Sequence, residues 1–490
     1  MDMAADLVTH SDLVRTGLHI DGAWRPASDA ATFAVTNPST GAVVAEVASA
    51  TVADTRAAIA AAEAALPGWR ATTAKARAAI LRRWYDLVVA RADELAAILT
   101  AEQGKPLAEA KGEILYGAAF IEWFAEEGKR VYGDTIPTND PDRRLFALKQ
   151  PVGVCAAITP WNFPMAMIPR KAGPALAAGC TMVLKPASAT PLSALALAAL
   201  AVEAGLPNGV FNVVPGKARV VGDELATNPA VRKLTFTGST EVGKDLMRTC
   251  AGTMKKLSLE LGGNAPLIVF DDADLERAVA GAIASKFRNT GQTCVCANRI
   301  LVQDGVYDAF VARFAEAVAA MKVGDGFEAG VELGPLIDEA AVAKVEAHVA
   351  DALAGGARVV TGGRRHARGG TFYEPTVMAD VTPAMRVARE ETFGPLAPVF
   401  RFTTEDEAIT LANATEFGLA AYYFTRDLGR AWRVGEALDF GVIGLNTGLF
   451  SYEGAPFGGL KESGTGREGS KYGIEDFLEV KYLCAAGIGA

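Results

Sequence analysis

The chain has 490 residues, of which 50% are hydrophobic and 21% are charged, and its formal net charge is −9. This length accommodates two or three domains with separate cores, and the composition is that of a soluble globular protein. The acidic balance and the lack of a dense Lys/Arg run argue against a nucleic-acid-binding protein.

We expect neither a targeting signal nor a membrane span. Residues 1–15 carry three Asp and no apolar core, unlike a signal peptide, and the longest apolar run, Leu192–Val202, is too short to cross a bilayer. Six scattered cysteines fit a reducing compartment, so we expect a cytoplasmic protein. We expect no metal site, because no metal-ligand spacing links the four histidines, His10, His19, His348 and His366.

The first third of the chain changes from strand-like to helical patterning. Residues 18–50 alternate apolar and polar residues and predict short strands and turns. Val52–Arg130 is Ala-rich with charged faces and predicts helices, interrupted at Pro67-Gly68 and at Gly104-Lys105-Pro106. Arg143–Lys149 predicts an isolated strand.

A regular alternation of β-branched and Ala-rich runs follows, which is typical of βαβ units and a parallel sheet. Ligands bind such sheets at the carboxyl ends of the strands. The predicted strands are Gly153–Ile158, Thr181–Leu184, Val210–Val214, Lys233–Phe236 and Lys256–Leu261. The predicted helices include Ala166–Ala178 and Leu192–Ala204.

A second α/β unit is predicted to begin near Gly262-Gly263. A turn and hairpin are expected at Gly355–Gly370. The tail, Asp476–Cys484, alternates like a strand and is expected to pair with Arg143–Lys149 or with another subunit's sheet. The other predicted elements are helices Leu275–Arg288, Val306–Val323 and Glu339–Ala354 and strand Arg299–Gln303.

Cys294 is the candidate nucleophile. It follows the turn-forming run Gly291-Gln292-Thr293, which can hold a side chain at the surface of a cleft. A small buried hydrophobe is the alternative role for such a Cys. Since no histidine lies nearby in sequence, we expect a carboxylate to assist the thiol.

Two further polar residues stand at strand ends. Asn162, within Trp161-Asn162-Phe163-Pro164, can aim its amide at an oxyanion or stabilise its own turn. Glu260 ends an apolar strand beside Gly262-Gly263, where a carboxylate is costly unless it is paired or functional.

Two clusters suit a phosphate-bearing cofactor. Lys185 and Ser188 follow a strand and can bind ribose or phosphate oxygens, although a solvated Lys is the alternative. The run from Gly238 and Ser239 to Lys244 matches a P-loop, but Asp245 stands where Mg²⁺ binding needs Ser or Thr, which excludes an NTPase. A helix start there still suits a dinucleotide pyrophosphate.

The ordered motifs of the whole chain resemble the aldehyde dehydrogenase superfamily. They are Trp161-Asn162-Phe163-Pro164, Phe236-Thr237-Gly238-Ser239, Glu260-Leu261-Gly262-Gly263, Gly291-Gln292-Thr293-Cys294, Glu390-Glu391-Thr392-Phe393-Gly394-Pro395 and Pro456-Phe457-Gly458-Gly459. Similarity to the succinate-semialdehyde dehydrogenase branch lies in Lys286-Phe287-Arg288-Asn289, Cys294-Val295-Cys296 and residues 466–473.

The resemblance implies an α/β fold and a thioester mechanism. Cys294 would attack the aldehyde, the Asn162 amide and the Cys294 N–H would hold the oxyanion, and Glu260 would activate the hydrolytic water. The implied domains are a Rossmann-like cofactor domain (1–130 and 151–261), a catalytic domain (262–470) and a β oligomerisation arm (131–150 and 471–490). A dimer or tetramer is expected.

The resemblance also implies cofactor contacts and a redox-sensitive thiol pair. Ser188, where NAD-preferring relatives often place Glu, favours NADP, with NAD possible as well. Cys296 is expected to form a reversible disulfide with an oxidised Cys294, or else to be a small residue in the pocket wall. The expected cofactor-binding residues are Trp161, Lys185, Ser188, Gly238, Ser239, Leu261, Glu391 and Phe393.

For the substrate, the resemblance points to a short aldehyde with a distal carboxylate. Arg170 and Arg288 match the arginines that grip this group, and a guanidinium fork suits a carboxylate. Ser451 lies in the substrate-entrance loop, where Tyr452 and Glu453 depart from the expected small residues. Succinate semialdehyde is the first expectation and glutarate semialdehyde the alternative.

Three other classes compete with this interpretation. A non-catalytic scaffold would be expected to lose Cys294 or Glu260, and a Cys hydrolase would not need the cofactor clusters. Relatives that pass the thioester to CoA generally lack the equivalent of Glu260.

Overall fold

The computed structural model describes residues 10–487. Residues 1–9, which include most of the segment analysed for a targeting signal, and residues 488–490 at the end of the proposed arm lie outside the described part. Within residues 10–487, no helix is long and apolar enough to cross a membrane.

A bundle of long helices forms the first part of the chain after short strands β1 to β4. The predicted break at Pro67 is wrong, because helix α1 continues through it to Ala71. The penalty for an internal Pro is offset by Trp69, which is buried and donates from Nε1 to the Leu176 carbonyl at 3.1 Å. The elements are β1 Leu18–Ile20, β2 Ala23–Arg25, β3 Thr32–Thr36, β4 Val43–Ala48, α1 Val52–Ala71, α2 Ala74–Ala90, α3 Ala92–Gln103 and α4 Leu107–Glu127.

The first large sheet has eight strands in the order β2-β1-β9-β8-β7-β10-β11-β21, with parallel pairing from β9 to β11. Alternate residues of β7 enter different cores, so helices cover both faces of the sheet. Its elements are β7 Val154–Ile158, α5 Pro169–Ala178, β8 Thr181–Lys185, α6 Leu192–Glu203, β9 Phe211–Val213, α7 Ala218–Thr227, β10 Val231–Thr237, α8 Thr240–Cys250, β11 Lys256–Glu260 and β21 Gly464–Thr465.

The second sheet has seven strands in the order β14-β15-β16-β13-β12-β18-β19. The chain leaves the first sheet after Glu260 and enters the second at Ala265, close to the predicted boundary. The elements are β12 Ala265–Val269, α9 Leu275–Lys286, β13 Ala297–Gln303, α10 Tyr307–Ala319, α11 Glu339–Ala354, β14 Arg358–Thr361, β15 Thr376–Val381, β16 Leu396–Phe402, α12 Glu405–Asn413, β18 Ala420–Phe424, α13 Leu428–Ala437 and β19 Val442–Leu445.

Three predictions in this half need correction. The strand that pairs with β14 is β15, which lies beyond the predicted hairpin 355–370. Helix α10 is shorter than predicted at both ends, and α9 ends at Lys286 because the chain then enters a tight turn, Arg288–Gly291. Two further sheets have only two strands each: β3 pairs with β4, and β17 (Phe417–Gly418) pairs with β20 (Leu460–Lys461).

A separate three-stranded sheet contains the tail. The strand predicted to be isolated, β6 (Arg143–Pro151), pairs on one side with β5 (Asp134–Ile136). On its other side it pairs in antiparallel register with β22 (Leu478–Ala486), which follows the short helix α14 (Ser470–Glu475). The prediction that the tail pairs with this strand is therefore confirmed.

Candidate active site

A cavity of about 240 Å³ lies at the carboxyl ends of β7, β10 and β11 and faces the loop before β13. Parallel pairing puts these strand ends at one edge, with Thr237 opposite Glu260. Most of the predicted site residues line this cavity: Trp161, Asn162, Arg170, Gly238, Ser239, Glu260, Leu261, Arg288, Cys294, Glu391, Phe393 and Ser451.

A strained turn presents Cys294 to the cavity. Asn289 and Thr290 have φ of 50° and 55°, a left-handed conformation that non-glycine residues rarely adopt. Gly291 has φ of 76°, and a Cβ there would lie 2.1 Å from the Gly394 carbonyl oxygen. A Cβ on Gly263 would likewise lie 2.5 Å from the Cys294 carbonyl oxygen, so glycines allow the close packing of this loop.

The Cys294 thiol is protonated in this environment. Burial raises the pKa of Cys294 to about 12, and Glu391 and Glu260 add to the rise while Arg170 opposes it. Desolvation disfavours the thiolate because the thiol is neutral and the thiolate is charged. Nucleophilic attack by Cys294 therefore requires that its proton be lost within the reaction.

Asn162 is held against the Cys294 loop. Its buried Nδ2 donates to the carbonyl oxygen of Gln292 at 3.0 Å. A carboxamide nitrogen carries two N–H groups, so this bond leaves the second N–H for a ligand in the cavity. Asn162 can thus serve as an oxyanion donor while its position is fixed.

Glu260 is a buried carboxyl group at the end of β11. Its Oε2 has no hydrogen-bond partner among the described residues. Burial raises the pKa of Glu260 well above its usual value, and Glu468 raises it further, although Arg170 and Lys171 act in the opposite direction. A carboxyl group with such a pKa accepts a proton readily once it is ionised, as a general base must.

The sequence analysis did not single out Glu468 and Lys171. The Lys171 ammonium group binds the Glu468 carboxylate and also donates to Thr237 Oγ1 at 2.6 Å. Burial opposes ionisation of Glu468, but Lys171 and Arg170 outweigh it, so the pKa of Glu468 is lowered. The only indications of this ion pair in the sequence were that Lys171 is adjacent to Arg170 and that Glu468 lies within residues 466–473.

The two arginines predicted to bind substrate differ in their surroundings. Arg170 Nε lies 2.7 Å from Glu468 Oε2, although its N–H is not aligned with that oxygen. Its Nη1 donates to the Tyr116 hydroxyl at 3.3 Å. Arg288 lies 4.8 Å from the centroid of the Phe163 ring and forms no ion pair with any described residue.

Arg288 and Ser451 border both the Cys294 cavity and a second, larger cavity of about 840 Å³. The walls of this outer cavity are mainly apolar and include Leu449, Phe450 and Tyr452. Arg288 therefore stands where a substrate would extend away from Cys294. Tyr452 lines the outer cavity only, at a distance from the reacting group.

The predicted cofactor residues lie along the same sheet edge. Lys185 and Ser188 do not line the Cys294 cavity but follow β8, one strand further. Burial lowers the pKa of Lys185 to about 8, and among residues 10–487 its Nζ donates only to the Pro186 carbonyl, at 3.0 Å. A buried amine with unused donors fits the hydroxyl groups of a ribose. Ser188 is exposed, and its Oγ donates to the Gly216 carbonyl at 3.1 Å.

The remaining cofactor candidates surround the cavity. Ser239 caps α8, whose N-terminal N–H groups suit a pyrophosphate. Burial raises the pKa of Glu391 to about 7, and its Oε1 accepts from Gly263 N at 3.1 Å. The rings of Trp161 and Phe393 meet edge to face, with centroids 5.6 Å apart.

Cys296 does not line the cavity. Its thiol is fully buried and donates to the Lys286 carbonyl at 3.4 Å, and both Cys296 and Cys294 are free thiols. Since the Cys294 side chain faces the cavity, a disulfide between the two would require the loop to rearrange. Within residues 10–487 there is no cluster of three or more potential metal ligands.

Comparison with known proteins agrees with this arrangement. The aldehyde dehydrogenase family model matches residues 24–483. The chain belongs to the aldehyde dehydrogenase family. The resemblance and the fold class inferred from the sequence are thereby confirmed, and the protein is an oxidoreductase.

Several relatives of this aldehyde dehydrogenase are close. Glutarate-semialdehyde dehydrogenase of Pseudomonas aeruginosa is 64% identical over 97% of this chain and 99% of its own length. Succinate-semialdehyde dehydrogenase [NADP(+)] of Escherichia coli is 64% identical over 97% of this chain and 98% of its own. A crystal structure of an E. coli NADP-dependent enzyme superposes with a TM-score of 0.97 at 64% identity, covering 97% and 99% of the two chains.

The raised pKa of Glu260 predicts how the rate of thioester hydrolysis depends on pH. Because this pKa lies well above its usual value, the basic form accumulates only above the pH range in which an ordinary glutamate ionises, so hydrolysis should accelerate as the pH is raised beyond that range. Single-turnover measurements on preformed acyl-enzyme should show this rise, and Glu260→Gln should abolish it while a burst of reduced cofactor persists.

The matched control for this pH experiment is Glu475→Gln, which alters an exposed carboxylate paired with Lys149. Its profile should match that of the unmodified enzyme. An unchanged pH profile in Glu260→Gln would contradict the assignment of Glu260 as the base.

Proposed function

We propose that this aldehyde dehydrogenase oxidises a short aldehyde with a distal carboxylate to the corresponding dicarboxylate, with NADP as the preferred cofactor and NAD accepted. The observation that carries the substrate assignment is Arg288, a guanidinium that forms no ion pair among the described residues and that borders, with Ser451, both the Cys294 cavity and the outer cavity. Such a group favours a carboxylate ligand.

Succinate semialdehyde and glutarate semialdehyde both fit this description. The relatives named for the two activities are equally identical to this chain, at 64%. We propose succinate semialdehyde first. Glutarate semialdehyde is the second candidate, because the large outer cavity that Arg288 borders leaves room for the longer substrate as well.

The reaction begins with addition of Cys294 to the aldehyde. The sulfur forms a bond to the carbonyl carbon, the C=O π electrons move to oxygen, and the thiol proton passes to solvent. The Asn162 amide and the Cys294 backbone N–H donate to the oxyanion. These two hydrogen bonds stabilise the oxyanion more strongly here than in water, because burial lowers the local dielectric.

Several residues would hold the cofactor, and the fit rests on the unused donors of the buried Lys185 amine. Lys185 and Glu391 would bind ribose hydroxyls, and Ser239 would place the start of α8 at the pyrophosphate. Ser188 presents no carboxylate to repel a 2′-phosphate, which supports NADP. When bound, the nicotinamide accepts the hydride that leaves the carbon attached to Cys294.

Glu260 completes the cycle by activating water. Its carboxylate takes a proton from the water that attacks the thioester carbonyl, the C–S bond breaks, and the thiol of Cys294 is restored. Arg170 and Lys171 balance the charge that Glu260 and Glu468 carry together. The carboxylic acid product leaves as a dicarboxylate.

We also propose the domain division stated above, a homo-oligomer and a cytoplasmic location. The three-stranded sheet supports the role of an assembly arm, because Val480 and Tyr482 on β22 are 70% and 60% exposed. Strand β21, which lies in the proposed catalytic range, pairs with β11 of the first sheet, so the chain crosses between the two units twice. Free cysteines throughout the described residues support a reducing compartment.

A panel of aldehydes assayed with NADP⁺ and NAD⁺ tests the proposed function. We expect the highest kcat/KM with a four- or five-carbon semialdehyde and NADP⁺, and a carboxylic acid as product. Cys294→Ala should abolish turnover and retain cofactor binding, measured by fluorescence titration. Faster oxidation of a neutral aldehyde of equal length, or substantial turnover by Cys294→Ala, would contradict the proposal.

Arg170 lies beside the Glu468 carboxylate whereas Arg288 has no ionic partner among the described residues, so substitutions of the two should have different effects. A charge-assisted contact contributes about 1.5–3 kcal/mol, so Arg288→Gln should lower kcat/KM for a semialdehyde about 10- to 150-fold. It should leave a neutral aldehyde of the same length little affected. Arg170→Gln should slow both substrates, because it removes a cation from Glu468 and Glu260.

Competition between a semialdehyde and its neutral analogue measures these phenotypes directly. Arg277→Gln, on the exposed face of α9, is the control and should change neither substrate. Equal losses for the two substrates in Arg288→Gln would remove the proposed carboxylate contact.

The thiol pair predicts reversible oxidation. Mild peroxide should inactivate the enzyme by oxidising Cys294 to a sulfenic acid, which condenses with the Cys296 thiol to a disulfide with loss of water. A dithiol should restore activity by reducing that disulfide to the two thiols. Cys296→Ala should keep its activity but lose most of this recovery. Mass spectrometry that finds no Cys294–Cys296 linkage in the inactivated protein would rule out the switch.

A further inference from the structure

The main-chain carbonyl oxygen of Asn162 accepts hydrogen bonds from two buried side chains. Lys105 Nζ donates to it at 2.8 Å, and Asn289 Nδ2 donates to it at 2.9 Å. Both donors are at most 1% exposed. A single carbonyl that receives a buried ammonium group and a carboxamide is held more firmly than ordinary loop backbone.

Lys105 comes from the Gly104-Lys105-Pro106 connection between α3 and α4, distant in sequence from the cavity. Its ammonium also lies 2.5 Å from Glu113 Oε2 and 3.8 Å from the centroid of the Phe163 ring. The other oxygen of Glu113 accepts from Met165 N at 3.0 Å and from Ala166 N at 3.1 Å. Lys105 and Glu113 together therefore hold both ends of the segment 162–166.

Asn289 links the same carbonyl to the loop that carries Cys294. Its Nδ2 also contacts the Gln292 carbonyl at 3.2 Å, the acceptor that Asn162 Nδ2 uses. Its Oδ1 accepts from Gln103 Nε2 at 3.0 Å, at the end of α3. Asn289 makes these contacts from a left-handed backbone conformation, with φ of 50°.

A buried ion pair is a poor source of net stability, because desolvation of both charges offsets their attraction. The Lys105–Glu113 pair is better explained by the geometry that it imposes. Lys105 Nζ contacts the Asn162 carbonyl and the Phe163 ring, both in the segment that carries Asn162, and it binds Glu113, which holds that segment. Rates of enzymatic reactions fall steeply when a reacting or stabilising group is misplaced.

We propose that Lys105 and Asn289 are positioning residues that clamp the Asn162 carbonyl and so aim the Asn162 amide at the developing oxyanion. The proposal rests on the oxyanion role given to Asn162 in the proposed function. Neither clamp residue lines the Cys294 cavity, so neither touches the substrate.

A double-mutant cycle tests whether the clamp acts through Asn162. Lys105→Met is combined with Glu113→Gln, which avoids an unpaired buried carboxylate and keeps an oxygen for Met165 N and Ala166 N. We expect Asn162→Ala to slow the burst of reduced cofactor about 100- to 1,000-fold, and the Lys105/Glu113 variant to slow it about 10- to 100-fold. In the Asn162→Ala background, the Lys105/Glu113 change should cost less than about 3-fold.

The rate at which iodoacetamide alkylates Cys294 distinguishes the clamp from general disruption of the site. General disruption would change this rate, whereas loss of the clamp would not. This displacement forms no oxyanion, so its rate should stay within about 2-fold in the clamp variants. Lys111→Met, on α4 in an exposed ion pair with Asp93, is the matched control and should retain the full burst rate.

Asn289→Asp repeats the cycle without disturbing the ion pair, since its carboxylate can still accept from Gln103 but cannot donate to the Asn162 carbonyl. It should show the same non-additivity. The clamp alone would be overturned if its effect on the burst rate multiplied fully with that of Asn162→Ala, or if alkylation slowed in parallel. A normal burst rate in both clamp variants would overturn it as well. A normal burst rate in Asn162→Ala would overturn the oxyanion role and the clamp with it.

Discussion

The active site depends on one constraint, the free-energy cost of burying a charged group away from water. Burial raises the pKa of Glu260 and of Cys294, the latter to about 12, and lowers that of Lys185 to about 8. The thiol of Cys294 is thus neutral at rest, and burial favours the neutral form of the Glu260 carboxyl group, since a neutral group costs less to bury than an ion. In the proposed mechanism each of the two groups acts in its charged form.

Charges that persist in the site are paired. Glu468 is ionised because Lys171 and Arg170 surround it, and its charge in turn keeps the pKa of Glu260 high. Breaking a buried pair of this kind leaves an uncompensated charge, which is strongly destabilising. Arg288 is the exception, because it is a guanidinium without an ionic partner among the described residues. Arg170 therefore organises the charges of the site, whereas Arg288 can bind a ligand.

The fold fixes the positions of the groups in the site. Parallel register sets Thr237 beside Glu260, and glycines let the Cys294 loop approach the first sheet to contact distance. The strained turn at Asn289 and Thr290 is maintained by hydrogen bonds to four other residues, Gln103, Glu109, Asn162 and Gly334. Such strain persists only where the surroundings over-determine the conformation.

The sequence alone determined the alternation of strands and helices, the strand ends near Asn162 and Glu260, and Cys294 as the candidate nucleophile, because local periodicity and short motifs encode them. Only the tertiary structure decided that α1 continues through Pro67, that Cys296 faces away from the cavity, and that Arg170 already has an anionic partner. These outcomes depend on contacts between distant residues, such as Lys171 and Glu468, which are 297 positions apart. No local pattern specifies such a pairing, because it arises from how complete sheets and helices pack.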